Sequence, residues 1–268
     1  GIGHSARDTY HMLYQQGIHM ERKDFAVGVR IEHTQDLIDH SQYGCSAAEL
    51  GLDAADYALV YHDKQSDRSC YSFCMCPGGV VVAAASEEGG VVTNGMSLYK
   101  RDSGIANSAL VVNVTADDVG GSTPLAGIEF QRRYEKLAYE AGGRTYKAPA
   151  QTVGSFLGRD DTGQMPSVTS YRPGVVWTDL RRVLPGFVTD TLAKALPYFG
   201  RRIHGFDDHN AVMTGVETRT SAPVRIVRGE DRMADGSSGL YPVGEGAGYA
   251  GGIMSAFLDG LETAIAII

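Results

Sequence analysis

Cysteine is scarce: the 268 residues include only Cys45, Cys70, Cys74 and Cys76. So few thiols, three of them within seven positions, exclude a disulfide scaffold, and reduced thiols in a cytoplasmic setting are expected. Positive charge is also in deficit. The formal net charge is −8, and the arginine pairs at 132–133, 181–182 and 201–202 stand apart from one another. Without a basic patch, no nucleic-acid partner is expected. Long apolar runs are missing too. The most apolar segment, 253–268, is interrupted by Asp259 and Glu262, so no membrane partner is expected. The first residues lack the basic and then apolar profile of a signal peptide. No internal repeat is visible.

Glycine is what the chain has in excess. Its 34 glycines stand well above the usual ~7%. They fall at the ends of apolar runs, which predicts many tight turns. Alternation over 25–31 reads as a half-buried strand, and further strands are expected at 57–62, 70–86, 90–96, 109–114, 212–217 and 224–227. The stretch 70–96 reads as a meander, with turns at Pro77-Gly-Gly79 and Glu87-Glu-Gly-Gly90. Helices are expected over 34–43, 127–141, 178–184 and 188–199. Near the start, Ser5 and Asp8 form a variant capping box for a helix that Gly17 ends.

The most informative stretch is Gly239-Leu-Tyr-Pro-Val-Gly-Glu-Gly-Ala-Gly-Tyr-Ala-Gly-Gly-Ile253. It predicts a strand at 240–243, a glycine turn and an amphipathic helix running to Ile268. A helix N-terminus after a glycine turn presents unpaired N–H groups and the positive end of a dipole, which suits an anionic or electron-rich ligand. Gly246, Gly248 and Gly251 satisfy G-x-G-x-x-G, but a dinucleotide fingerprint needs a following strand and an acidic residue about 20 positions on. The motif is therefore read as a last strand and last helix. The opening Gly1–Asp8 looks like a glycine turn onto a helix with its strand missing, so the chain reads as a fragment. The two ends are alike in kind and the middle differs. The expected layout is one discontinuous body, 1–23 with 206–268, carrying an insertion at 24–205.

Four segments carry a family resemblance. They are Gly3-His-Ser-Ala-Arg-Asp-Thr9; Val29-Arg-Ile-Glu-His33 with Gln42-Tyr-Gly44; Ser72-Phe-Cys-Met-Cys-Pro-Gly-Gly79 with Glu87–Met96; and Thr214-Gly-Val-Glu-Thr-Arg-Thr220 with Gly244–Ile253. Together they resemble the C-terminal half of bacterial FAD-dependent dehydrogenases, within the two-dinucleotide-binding-fold flavoproteins. The resemblance implies an α/β plus α+β protein. An incomplete Rossmann-like FAD-binding domain, lacking its N-terminal βαβ unit, would carry an inserted, largely antiparallel-β substrate domain that caps the flavin. It implies that Gly3, His4 and Ser5 lie beside FAD and that Glu245 bonds the ribityl hydroxyls. The turn residues Gly244, Gly246, Ala247, Gly248, Tyr249, Gly251, Gly252 and Ile253 would face the pyrophosphate–ribityl region and the pyrimidine edge, and Arg219 and Thr220 would contact flavin or substrate. The parent would be an oxidoreductase acting on a small molecule, with NAD(P)H as electron donor, and the fragment alone would be inactive and short of FAD.

Two other readings stand beside it. The glycine turn would serve a non-redox nucleotide- or anion-binding module equally well. Cys74 and Cys76 are either a redox pair, the only catalytic candidates in the chain, or small apolar fillers. Cys70, Cys74 and Cys76 have no standard zinc spacing and no fourth ligand, and His204 and His209 beside Asp207-Asp208 read as a solvated acidic loop, so no metal is expected.

Overall fold

The computed structural model describes residues 1–159 and 169–268; part of the stretch 144–178, rich in Gly, Ser, Thr and Pro and expected as mixed loop and short strand, lies outside them. In chain order the elements are α1 (Arg7–Gln15), β1 (Met20–Arg22), β2 (Phe25–Thr34), α2 (Gln35–Tyr43), α3 (Ala47–Leu50), β3 (Val60–Asp63), β4 (Arg68–Cys76), β5 (Gly79–Ala83), β6 (Thr93–Ser97) and β7 (Ile105–Val114). There follow α4 (Ala126–Ala141), β8 (Ala148–Thr152), α5 (Val153–Phe156), β9 (Val175–Trp177), α6 (Gly186–Gly200), β10 (Val212–Glu217), β11 (Val224–Ile226) and α7 (Ile253–Ile267). The chain is a mixed α/β protein whose sheets are mainly antiparallel.

Two compact units form. One comprises Gly1–Ala26, Val114–Arg133 and Arg219–Ile268; the other comprises Val27–Asn113 and Tyr134–Thr218. The first thus includes a middle segment that a simple insertion at 24–205 does not provide for. Its core is Tyr10, Ile18, Met20, Leu125, Ile128, Val224, Ile226 and Ala234. β1 pairs with β11 antiparallel, Met20 facing Ile226. α1 ends as its sequence dictates. Gly17 sits at φ 83°, its N–H reaches Tyr14 O, and the N–H of Ile18 reaches Leu13 O. This is the Schellman pattern, and Leu13 packs on the core beside Ile18.

The second unit is built on a seven-stranded sheet in the order β3-β4-β7-β2-β10-β8-β9. Only β8 with β9 is shown to be parallel; β10 pairs antiparallel with both β2 and β8. α6 packs on β3 and β4. Thr34 caps α2 by accepting the Leu37 N–H, and Gly44 closes it in the left-handed region.

Several expectations are corrected. β2 is buried along nine of its ten residues, not on one face. The meander is divided: β4 pairs with β3 and β7, whereas β5 and β6 form a separate hairpin. The helix expected over 178–184 is only a 3-10 turn at Leu180–Arg182, just before Pro185, which disfavours helical backbone at the residue preceding it. No side chain caps α1. Residues 240–243 form no strand. Pro242 has no N–H to give a ladder, its carbonyl is taken by Arg228, and Leu240 O accepts from Ala234. Among the described residues, no helix is long and apolar enough to cross a membrane.

Candidate functional site

Within the first unit the two ends of the sequence meet. His4 Nδ1 lies 2.7 Å from Glu245 Oε1, a close contact without hydrogen-bond alignment. The Arg219 guanidinium donates to Ser5 Oγ at 2.9 Å. A Cβ on Gly246 would stand only 2.7–2.8 Å from the backbone of Gly3. Tyr10, at the foot of this junction, donates its hydroxyl proton to Gly246 O at 2.5 Å. Burial, and after it the Glu245 charge, push the Tyr10 phenol well above its ordinary value, so it remains a donor.

The turn is held by its own hydrogen bonds and by α7. Gly248 N–H reaches Glu245 O and Tyr249 N–H reaches Gly244 O. Gly244 N–H donates to Asp259 Oδ2 at 2.7 Å. Ser255 Oγ accepts from Gly251 and Gly252 N–H. The N–H groups of Glu245, Gly246 and Ala247 have no acceptor among the described residues. Three successive free N–H groups, two on buried residues, form a place where an anion or a hydroxyl oxygen is accepted.

The glycines divide by cause. Gly244 and Gly248 have positive φ, 75° and 87°. Gly246 and Gly248 also touch backbone, since a Cβ on Gly248 would come within 2.7 Å of Val224 O. A Cβ on Gly251 would meet nothing within 4 Å and one on Gly252 only Ser255 Oγ at 3.9 Å, and neither has left-handed backbone. The fold itself does not require these two glycines. They lie at the exposed start of α7, which favours negative charge.

Other expected residues are engaged elsewhere. Thr220 is buried, and its hydroxyl exchanges hydrogen bonds with the backbone of Ala26; it is a packing group and has little to offer a ligand. Tyr249 donates to Ile226 O and its ring lies 3.7 Å from the Arg228 guanidinium. Ile253 is 90% exposed. One network went unread in the sequence: Asp259 accepts from Arg228 at 2.5 Å and from Arg232 at 3.0 Å as well as from Gly244. Those arginines and the Gly244 N–H outweigh desolvation and hold the Asp259 carboxyl below its ordinary range. An acid in the middle of a mostly apolar helix, three positions before Glu262, was the signal.

The second unit holds two polar centres. Arg30 is fully buried; its Nε donates to Glu217 Oε2 at 2.7 Å and its Nη2 to Oε1 at 2.9 Å. Nη1 reaches Cys74 O at 2.8 Å and Asn107 Oδ1 at 3.2 Å, and Nη2 reaches Asn94 Oδ1 at 2.9 Å. Burial pushes the Glu217 carboxyl up, more than Arg30 pulls it down. The Glu217 charge nevertheless holds the guanidinium above its ordinary value. The forked double hydrogen bond requires an ionised carboxylate, so the two side chains form an ion pair at neutral pH. Cys74 occupies a β-bulge on β4, exposed and at φ 45°; such a conformation costs a non-glycine residue about 1–2 kcal/mol.

The other centre is a cavity of about 220 Å³ lined by residues that include Glu32, His33, Leu37, Asp208 and Asn210. His33 Nε2 lies 2.7 Å from Phe206 O, so that nitrogen carries the proton. Nδ1 and Asn210 Oδ1 are buried acceptors without partners. Burial lowers the His33 pKa to about 4, against the opposing pull of the Phe206 carbonyl. The unfolded chain then takes up a proton that the folded chain refuses. Stability is expected to fall by about 3 kcal/mol as pH drops from about 6.5 towards 4. Urea midpoints across that range check this, and His33→Gln should flatten the slope.

No three His, Cys, Asp or Glu side chains are grouped to hold a metal ion among the described residues. Asp207 pairs instead with Arg159 at 2.5 Å.

An uncharacterized protein of Clostridium beijerinckii is 52% identical over all 268 residues, which make up 50% of that protein. The chain therefore spans about half the length of this relative. Residues 24–220 match the model of one family, leaving the closing turn outside the match. On this match the chain belongs to the family described as FAD-dependent protein, C-terminal domain-like.

Proposed function

We propose that this chain is the C-terminal part of an FAD-dependent oxidoreductase, a dehydrogenase, supplying one wall of the flavin site and the substrate domain. The observation that carries the reading is the junction of Gly3–Ser5 with the turn at 244–253, where three free N–H groups, a carboxylate and the start of α7 converge. Family membership adds the nature of the cofactor. FAD, when bound, supplies two-electron transfer. The chain's residues do the rest. Glu245 turns one oxygen towards His4 and keeps the other for a ribityl hydroxyl. The N–H groups of residues 245–247 donate to phosphate or hydroxyl oxygen. The start of α7 favours negative charge on the reduced ring. Gly251 and Gly252 leave room for a flat ligand. In a protein of the relative's length, the remaining half supplies the Rossmann-like partner and the opposite wall. NAD(P)H is the proposed electron donor.

The test uses a protein of the relative's full length. It should purify yellow or take up FAD stoichiometrically, and NADH or NADPH should bleach it anaerobically. Glu245→Ala should weaken FAD binding by about 10–100-fold, the loss of a charged hydrogen bond. A protein that stays colourless in excess FAD overturns the reading. Binding of pyrophosphate or AMP without flavin would favour a non-redox anion-binding module, which the same free N–H groups also support.

A further inference from the structure

We propose that Cys74 and Cys76 are a redox-active dithiol, with Cys74 the attacking thiol, Cys76 the resolving thiol and a disulfide as the substrate class. The inference is independent of the flavin reading, because every group it uses lies on β2, β4, β6, β7 and β10 of the second unit.

The bulge is the first argument. Phe73 faces Ala109 and Cys76 faces Asn107, so two residues of β4, Cys74 and Met75, oppose Ser108 alone. This turns an exposed thiol outward at a left-handed position while the second thiol stays buried. A plain strand needs neither the bulge nor a cysteine at positive φ. The support beneath it is the second argument. Arg30 fixes the Cys74 carbonyl at 2.8 Å and lies 3.9 Å from Cys76 Sγ. The Cys76 thiol donates to the same carbonyl at 3.3 Å, and Asn94 and Asn107 hold the guanidinium in place. Asn107 Nδ2 is buried without a partner, a donor left over opposite Cys76 in register.

The electrostatics agree. A hydrogen bond from Cys76, and then Arg30, lower the Cys74 pKa to about 5 against the effect of burial. The same shared proton, with burial, pushes Cys76 up. The pair therefore loses one proton easily and the second with difficulty. The other ionisable groups facing it are Glu217, already paired with Arg30, and buried Tyr57 near Cys76. Cys70 differs: it is fully buried, and burial alone raises it.

The chemistry balances. The Cys74 thiolate attacks one sulfur of a substrate disulfide, forming a mixed disulfide and releasing the first thiolate. Cys76 loses its proton to solvent and attacks Cys74 Sγ, releasing the second thiolate and closing a Cys74–Cys76 disulfide. Protons from solvent restore both leaving thiols. The dithiol loses two electrons and the substrate disulfide gains them.

The test uses the reduced 268-residue chain and oxidised glutathione at pH 7, followed by peptide mapping under acid quench. Wild type should lose about two hydrogens of mass, mapped to 74–76. Cys76→Ser should stop at a glutathione adduct on Cys74, and Cys74→Ser should give neither product. Iodoacetamide at pH 6 should modify Cys74 about tenfold faster than an ordinary thiol, its larger thiolate fraction being partly offset by weaker nucleophilicity. Cys76→Ala should move the alkylation midpoint of Cys74 towards higher pH, which a merely structural Cys76 would not do. Circular dichroism and urea midpoints matching wild type qualify each variant; if Cys76→Ser fails this check, Cys76→Ala takes its place in the trapping arm. An adduct spread over Cys45, or no disulfide at 74–76 in folded wild type, overturns the proposal.

Discussion

Replacing Glu217 with alanine is expected to destabilise the second unit by about 3–5 kcal/mol, the loss typical when one partner of a buried ion pair is removed. The guanidinium of Arg30 is 0% exposed and the Glu217 side chain 3%. Without the carboxylate, two of the arginine's N–H groups lose their acceptors and its charge stays buried. Arg30 cannot escape by losing its proton, because guanidinium remains protonated in proteins. Replacing both partners, with Arg30→Met and Glu217→Met together, should recover much of the loss, since a hydrophobic pair avoids the burial of charge altogether. Urea denaturation of wild type, Glu217→Ala and the double variant measures the three values. A loss below about 1 kcal/mol in the single variant would place the pair with ordinary surface salt bridges and refute the argument.

That pair also shows where local sequence reading reaches its limit. The strand at Phe25–Ile31 is legible because its apolar residues alternate. Arg30 and Glu32 between them read as a solvated face, and they are not. Arg30 is satisfied by Glu217, and Glu32 by Thr169 and Ser170. Those partners lie well over a hundred positions away, so no window of a dozen residues contains them. Local signals fare better. Gly17 and Thr34 act through bonds to neighbours within four or five positions, and both behave as their types predict. The candidate site lies between these cases. Glycine excess marked both ends, but the contact of His4 with Glu245 spans 241 positions, and neither pattern nor resemblance foretold it; the resemblance only gave both residues a place at the cofactor. The bulge at Cys74 has no local signature, because it is created by the register of β4 against β7.

Substituting Phe257, Leu261 and Ile265 together with glutamine is expected to convert a self-associating chain into a monomer. α7 is amphipathic, as its sequence requires, but the period alone does not say which side faces the protein. Its buried residues are Asp259 and Thr263. Asp259 binds Arg228, Arg232 and the Gly244 N–H, and Thr263 bonds back to the Asp259 carbonyl. The polar stripe therefore anchors the helix, and the apolar stripe faces outward. Phe257, Leu261 and Ile265 are 61%, 47% and 66% exposed, flanked by Met254 at 67% and Leu258 at 49%. Fully burying one such side chain is worth about 1.5–3 kcal/mol, and a contiguous apolar face of this kind marks an interaction surface. In a preparation of this chain alone, a second copy of the same stripe is the cover on offer, whereas in a protein of the relative's length the remaining half competes for it; a two-fold pairing sets the stripe against itself, residue i on j and j on i. Glutamine keeps helix propensity close to that of leucine, so α7 itself should survive. Sedimentation velocity should show a species heavier than one chain for wild type and a single chain for the triple variant. Asp259→Asn provides the contrast: it strikes the opposite side of the helix and should lower the urea midpoint while leaving association intact. A wild-type chain that stays monomeric at high concentration would mean that the outward stripe drives no contact, and the argument from its exposure would fall.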